Sequence, residues 1–173
     1  MGGYSKAMKD ENHQSGMILD LRGNPGGIAG MTMGMASAIV EENVELGLME
    51  MKGTKLKFTA VARPLPYSGK VAILVDECSV SSSEILAGGL QDLKLARVFG
   101  SRTAGLALPS TISKLPNGDG FQYAIADYHS KSGKALEKDG VTPDEIIKIT
   151  PELLKQHQDP VLNRATNWLK EEK

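Results

Sequence analysis

Ser79 to Leu86 reads SVSSSEIL, a run of small hydroxyl residues set directly before a helix-like segment, Glu84 to Leu95. A serine in the first turn of a helix meets two conditions for a nucleophile. Free backbone N–H groups and the positive end of the helix dipole favour negative charge there. The same groups would stabilise an oxyanion formed on a substrate carbonyl. On its own the motif reads first as a cap, because Ser81 and Glu84 fit the S-x-x-E capping box. Upstream, Asp20 to Gly27 reads DLRGNPGG and follows the apolar run Met17-Ile18-Leu19. A strand that runs into these residues must turn sharply, since Pro fixes φ and Gly admits φ > 0. The next segment, Ile28 to Glu42, is rich in Ala and Met and predicts a helix. Strand, Gly-rich turn and helix together bring bare amides to the strand's end, which suits an anion or an oxyanion. Taken alone, a tight βα connection explains the turn equally well. Neither G-x-x-x-x-G-K-[ST] nor G-x-G-x-x-G is present, which argues against phosphate binding.

Five segments in order, DLRGNPGG, SVSSSEI, GSRTAG (Gly100 to Gly105), LPNGDG (Leu115 to Gly120) and LEKDGVTPDE (Leu136 to Glu145), carry a resemblance. In order and spacing they resemble the tail-specific, or carboxyl-terminal processing, serine peptidases. The tricorn core protease and the interphotoreceptor retinoid-binding proteins belong to the same superfamily. The resemblance implies that the S-x-S-x-S-E element falls on Ser79, Ser81, Ser83 and Glu84, with Ser81 as nucleophile. It implies one oxyanion-hole amide from Ser82 and another from Gly27 or its neighbour Gly26. The serine run itself leaves Ser82 or Ser83 open as the productive position.

One departure stands out. In the processing peptidases the general base is a lysine in a TFGKG-like element. Aligned through Thr103 and Gly105, this chain has RTAGLALP, so Leu106 stands in the lysine's place and Ser110 where a supporting glutamine follows. A serine hydroxyl is a poor nucleophile without a base, and leucine cannot take a proton. The tricorn-like branch, which the chain resembles more closely in this respect, uses an upstream histidine and a glutamate near the terminal G-x-x-PD element. Glu137 falls on that glutamate's position and is expected to act in the relay. His13 lies in a polar stretch too close to the strand to serve well as the base. His129 and His157 read as surface or connecting residues, without a metal-like partner at helical spacing. The expectation is a fragment of a longer protein whose base lies upstream, with an inactive homologue as the alternative.

Composition narrows the classes. The 173 residues, 40% apolar, are enough for one domain with a sizeable core. A net charge of −1 and the lack of a Lys/Arg stripe among aromatics argue against nucleic acid. No apolar run reaches the roughly 18 residues needed to span a bilayer. The N-terminus has no signal-like apolar region, and Met1-Gly2-Gly3 reads as an expression remnant. Cys78 alone cannot form an internal disulfide; at the end of an apolar strand it is expected to be a packed thiol. No metal or cofactor is expected. The resemblance implies a polypeptide substrate, an upstream cap or PDZ-like domain in the parent protein, a homo-oligomer as one assembly state, and an exported (periplasmic or extracellular) parent.

The elements that must position these residues read as an α/β core. Strands are expected at Met17 to Leu21, Lys55 to Ala62, Val71 to Val75, Ala96 to Phe99, Leu108 to Leu115 and Phe121 to Asp127. Val71 to Val75 is continuously apolar, as a buried central strand should be. Helices are expected at Ile28 to Glu42, Ser83 to Leu95 and Asp159 to Glu171, the last with Asp159 as N-cap and Pro160 at the first position. Tyr4 to Glu11 reads as the end of a further helix. Pro116-Asn117-Gly118 marks a hairpin turn. Met31, Met33 and Met35 are expected in core or interface. The division is a remnant at 1–15, a core at 16–150 and a C-terminal helix packed on it at 151–173. The succession suits the ClpP/crotonase-like spiral core, a mixed sheet with flanking helices, that the resemblance implies. An apolar-ligand or peptide-binding module of the same fold, without proteolysis, is the rival reading. Acyl-CoA chemistry of the crotonase kind ranks last, since it gives the serine run no role.

Overall fold

The structure is a computed structural model that describes residues 4, 6, 16–156 and 158–171. His13 and His157, and most of the helix expected over Tyr4 to Glu11, lie outside the described residues. The elements run β1 (Gly16–Asp20), α1 (Gly30–Ala36), β2 (Val44–Met51), β3 (Thr54–Ala60), β4 (Lys70–Val75), α2 (Ser82–Asp92), β5 (Arg97–Gly100), β6 (Ser110–Lys114), β7 (Gly120–Ala124), β8 (Asp127–Ser130), β9 (Glu145–Ile146), α3 (Pro151–Lys155) and α4 (Pro160–Lys170).

A parallel sheet in the order β1-β4-β5-β9 forms the centre. β4 lies inside it, and its side chains divide between two cores. Val71, Ile73 and Val75 join one core with Ile85, Leu86 and Leu90 of α2. Ala72 and Leu74 face the other way, with Phe99 and with Val161 and Ala165 of α4. Burial on both faces explains why β4 is apolar without alternation. Each fully buried aliphatic there contributes roughly 2 kcal/mol. An antiparallel sheet in the order β3-β2-β8 covers the α2 side, with Phe58 edge-on to Tyr128 at 5.5 Å between ring centres. β6 and β7 form a separate hairpin whose turn is closed by Leu115 N–H donating to Asp119 O at 2.8 Å.

The mixed α/β architecture with flanking helices is as expected, and α4 begins as expected: Asp159 accepts the Leu162 N–H at 2.9 Å and Pro160 opens the helix. Three expectations change. Helix α1 is shorter than the expected helix over 28–42, because Ser37 donates its hydroxyl back to Met33 O and the chain then turns. Residues 44–51 form a strand that was not expected. The stretch 121–127 divides into β7 and the start of β8, which pair with different strands.

Candidate active site

The chemistry gathers where β1 and β4 end and α2 begins. Asp20 closes β1, and the chain enters the Gly-rich turn. Three bonds join this turn to the serine loop. The buried Ser79 hydroxyl donates to Leu21 O at 2.8 Å, Val80 N–H donates to Asn24 O at 3.0 Å, and the Ser83 hydroxyl donates to the same oxygen at 3.2 Å. Ser79 and Ser83 are therefore spent on holding two loops together. Ser81, between them, lines a cleft.

Ser81 itself has φ 58° and ψ −118°. A non-glycine residue in this region carries strain on the order of 1–3 kcal/mol and needs its surroundings to hold it there. Glu84 supplies the restraint. Its carboxylate, fully buried, accepts Ser81 N–H at 2.9 Å, Thr103 Oγ1–H at 2.6 Å, Gly105 N–H at 2.7 Å and Leu106 N–H at 3.0 Å. The expected capping box is present, but Glu84 also anchors the 103–106 loop. Its four donors satisfy a charge that would otherwise be costly to bury.

A cleft of about 500 Å³ opens over Ser81, lined by Gly26, Gly27, Val80, Leu106 and Glu137, with Ser110, Gln122 and Ala124 from the hairpin. Of the residues singled out from the sequence, Ser81, Gly26, Gly27, Leu106 and Glu137 line this cleft, and Ser82 follows Ser81 outside its lining. Ser82 N–H, at the first turn of α2, makes no hydrogen bond among the described residues, and neither does Gly27 N–H. Gly26 N–H is already engaged by Asn24 Oδ1 at 2.9 Å. Of the two glycines considered, Gly27 has the uncommitted amide. Gly26 instead provides close approach: its φ is 90°, and a Cβ there would lie 2.6 Å from Val80 O and 2.8 Å from Ser81 Cβ.

Glu137 Oε2 accepts Ala107 N–H at 2.9 Å and Leu108 N–H at 3.2 Å, so it fixes the cleft wall that carries Leu106. Leu106 is 58% exposed. No lysine or histidine lines the cleft among the described residues. His129 sits on β8, 3.3 Å from Asp127. Arg22 bridges Asp20 and Asp159, its nitrogens 2.7 and 2.9 Å from their carboxylates. These bonds from the guanidinium hold the Asp20 and Asp159 carboxyls below the usual range and push the Arg22 pKa up. Arg22 therefore braces the turn against α4.

Cys78 corrects an expectation. It is exposed, in the turn after β4, where its N–H donates to Asp76 Oδ1 at 3.0 Å. β4 ends at Val75, so the thiol falls past the strand and outside the core. Two contributors were not singled out from the sequence for this site. Gln122 donates from Nε2 to Ser110 Oγ at 2.7 Å across the hairpin, and Asn24 links both loops. Counting two residues outward from Ser110↔Ala124 along the paired strands would have found Gln122 on the same face.

The sequence model of peptidase family S41 matches residues 2–147. The carboxyl-terminal-processing protease of a Synechocystis species is 33% identical over 144 residues, covering 80% of this chain and 32% of that protein. The solved photosystem II D1 C-terminal processing protease is 27% identical, with a TM-score of 0.72, over 85% of this chain and 39% of that one. Tricorn protease, 24% identical over 91% of this chain and 15% of its own, shares the fold with a TM-score of 0.70. The chain spans about a third of the length of the curated relatives it matches. On the extent of the family match, the chain belongs to peptidase family S41.

Proposed function

We propose that this chain is the catalytic core of a serine peptidase that cleaves polypeptides, with Ser81 as nucleophile. The observation that carries the reading is Ser81 held in a left-handed conformation at the start of α2, in one cleft with Gly27 and next in the chain to Ser82, both of whose amides are uncommitted among the described residues. Ser81 Oγ adds to the scissile carbonyl carbon, and the carbonyl oxygen becomes an oxyanion held by Ser82 N–H and Gly27 N–H. The proton from Ser81 passes to a base, which returns it to the leaving amine; the acyl-enzyme is then released by water. That base comes from a part of the parent other than the described cleft residues, and Glu137 orients it. The chain alone is accordingly expected to be slow. The parent is proposed to act outside the cytoplasm on polypeptides, as the family resemblance implies.

The test is fluorophosphonate labelling followed by peptide mapping, on this chain and on a form extended upstream in its parent. Labelling of Ser81 in the extended form, abolished by Ser81→Ala, is the expected result. A labelled site elsewhere would remove Ser81 from its role. A second reading, a binding module for apolar or peptide ligands, is favoured by one observation: the exposed Leu106 presents an apolar wall beside Ser81. Ligand retention without turnover by the extended form would support it.

A further inference from the structure

We propose that Asn24 is a positioning residue that sets the distance between the two oxyanion-hole amides, a role that rests on the acyl-transfer reading above. Gly27 and Ser82 lie on separate segments, the turn after β1 and the first turn of α2. No hydrogen bond runs directly between these two residues among the described bonds, so something else must fix them relative to each other.

Asn24 touches both sides. Its N–H donates back to Leu21 O at 3.2 Å, which seats it on the end of β1. Its main-chain oxygen accepts Val80 N–H at 3.0 Å and the Ser83 hydroxyl at 3.2 Å, on either side of Ser81 and Ser82. Its side-chain oxygen accepts Gly26 N–H at 2.9 Å. This last bond has two effects. It withdraws the Gly26 amide, so that one donor rather than two adjacent donors on the turn is left for the oxyanion. It also fixes the residue next to Gly27, while Gly26 is pressed so close to the serine loop that a Cβ would lie 3.0 Å from Ser82 N. Asn24 therefore joins the residue next to Gly27 to both sides of Ser82, beside the separate Ser79–Leu21 bond.

The part of the side chain that matters is the acceptor oxygen. Asn24 Nδ2 makes no hydrogen bond among the described residues. Asn24→Asp keeps the acceptor and removes the donor; Asn24→Ala removes both. If the Asn24 amide were itself a donor to the oxyanion, the two variants would fail alike.

The probe is a peptide boronate with a small apolar residue at boron, whose tetrahedral anion on Ser81 Oγ mimics the oxyanion. Affinity is measured per folded molecule on the form extended upstream in its parent, unsubstituted and as Ser81→Ala, Asn24→Ala and Asn24→Asp, alongside amide exchange at Gly26 by NMR. We expect Asn24→Ala to weaken boronate binding about tenfold and to speed Gly26 exchange, the upper range for one lost neutral hydrogen bond. Asn24→Asp keeps the acceptor oxygen and should bind within about threefold of the unsubstituted form and keep Gly26 protected. A purely structural role would lower the melting temperature and leave affinity per folded molecule unchanged. Unaltered binding by Asn24→Ala, or equal weakening by both variants, overturns the proposal while the peptidase reading stands. If Asn24→Ala does not fold, weak binding by Asn24→Asp alone overturns it. Absence of Ser81-dependent boronate binding in the unsubstituted extended form overturns the acyl-transfer reading and the proposal with it.

Discussion

Ser81 and Leu106 hang from one atom: Glu84 Oε2 accepts both backbone N–H groups, at 2.9 and 3.0 Å. The proposed nucleophile and Leu106 are thereby held in a fixed relation, although 25 positions of sequence separate them. A single buried carboxylate aligns the two loops from which a serine–base pair would be built.

Replacing Leu106 by lysine tests that relation. The backbone at 106 stays anchored through Glu84, and the new ammonium stem enters the cleft that Ser81 lines. A base so placed should raise the rate of fluorophosphonate labelling at Ser81 by about 10²-fold, the low end of general-base effects. The rate should follow pH upward as the lysine loses its proton. No acceleration in Leu106→Lys would mean that the two positions do not meet in the cleft.

Glu84→Gln should be costly to the fold. The neutral amide keeps one acceptor oxygen and turns the other position into a donor facing the N–H and O–H groups of residues 81, 103, 105 and 106. A loss of about 2–4 kcal/mol is expected, in line with broken buried charged networks. Urea denaturation would register it as a lower midpoint at unchanged slope.

Gly26→Ala has no room. A methyl group would meet Val80 O at 2.6 Å and force a β-carbon onto φ 90°. The expected penalty is about 1–3 kcal/mol for the strained backbone. Relief of the clash would also push the turn away from Ser82. Thermal melts and boronate affinity should therefore fall together. A variant that melts and binds like the unsubstituted chain would contradict the close approach.

Acid should weaken the bracing around Arg22. Its hydrogen bonds hold the Asp20 and Asp159 carboxyls below the ordinary range, so in acid the unfolded chain binds more protons than the folded one. This stability is present above the unfolded carboxyl pKa of about 3.9 and is lost as pH falls through the lower folded values. Part of both carboxylates is exposed, so the effect is modest. Arg22→Ala should be less stable than the unsubstituted chain at pH 7, with the difference shrinking towards pH 2. A gap that stays constant with pH would assign the role of Arg22 to packing.

Much of the fold could be read from apolar runs and caps. β4 and α4 announced themselves, one by unbroken burial and the other by Asp159-Pro160. β2 did not, because its rule-breaking residue is explained only across the sheet. Gly47 sits in mid-strand where a Cβ would run into the Tyr128 hydroxyl and the His129 carbonyl, both more than 80 positions away. Cys78 was misread because burial was extended three residues past the strand's real end. In the site, the motifs and their order were enough to name Ser81, Gly26, Gly27 and Glu137, which line one cleft. Asn24 and Gln122 were not, since their meaning lies in hydrogen bonds between segments that the sequence lists far apart.

Asp159 caps α4 and also receives half of the Arg22 guanidinium. The smallest piece of this fold that keeps a properly seated Gly-rich turn therefore extends beyond the last strand of the sheet. A chain shortened to end at Ile146 would retain Ser81, the Ser82 and Gly27 amides and the whole central sheet, yet leave Arg22 with Asp20 as its sole carboxylate. Domain boundaries drawn around the sheet would thus divide a unit that the ion pair joins.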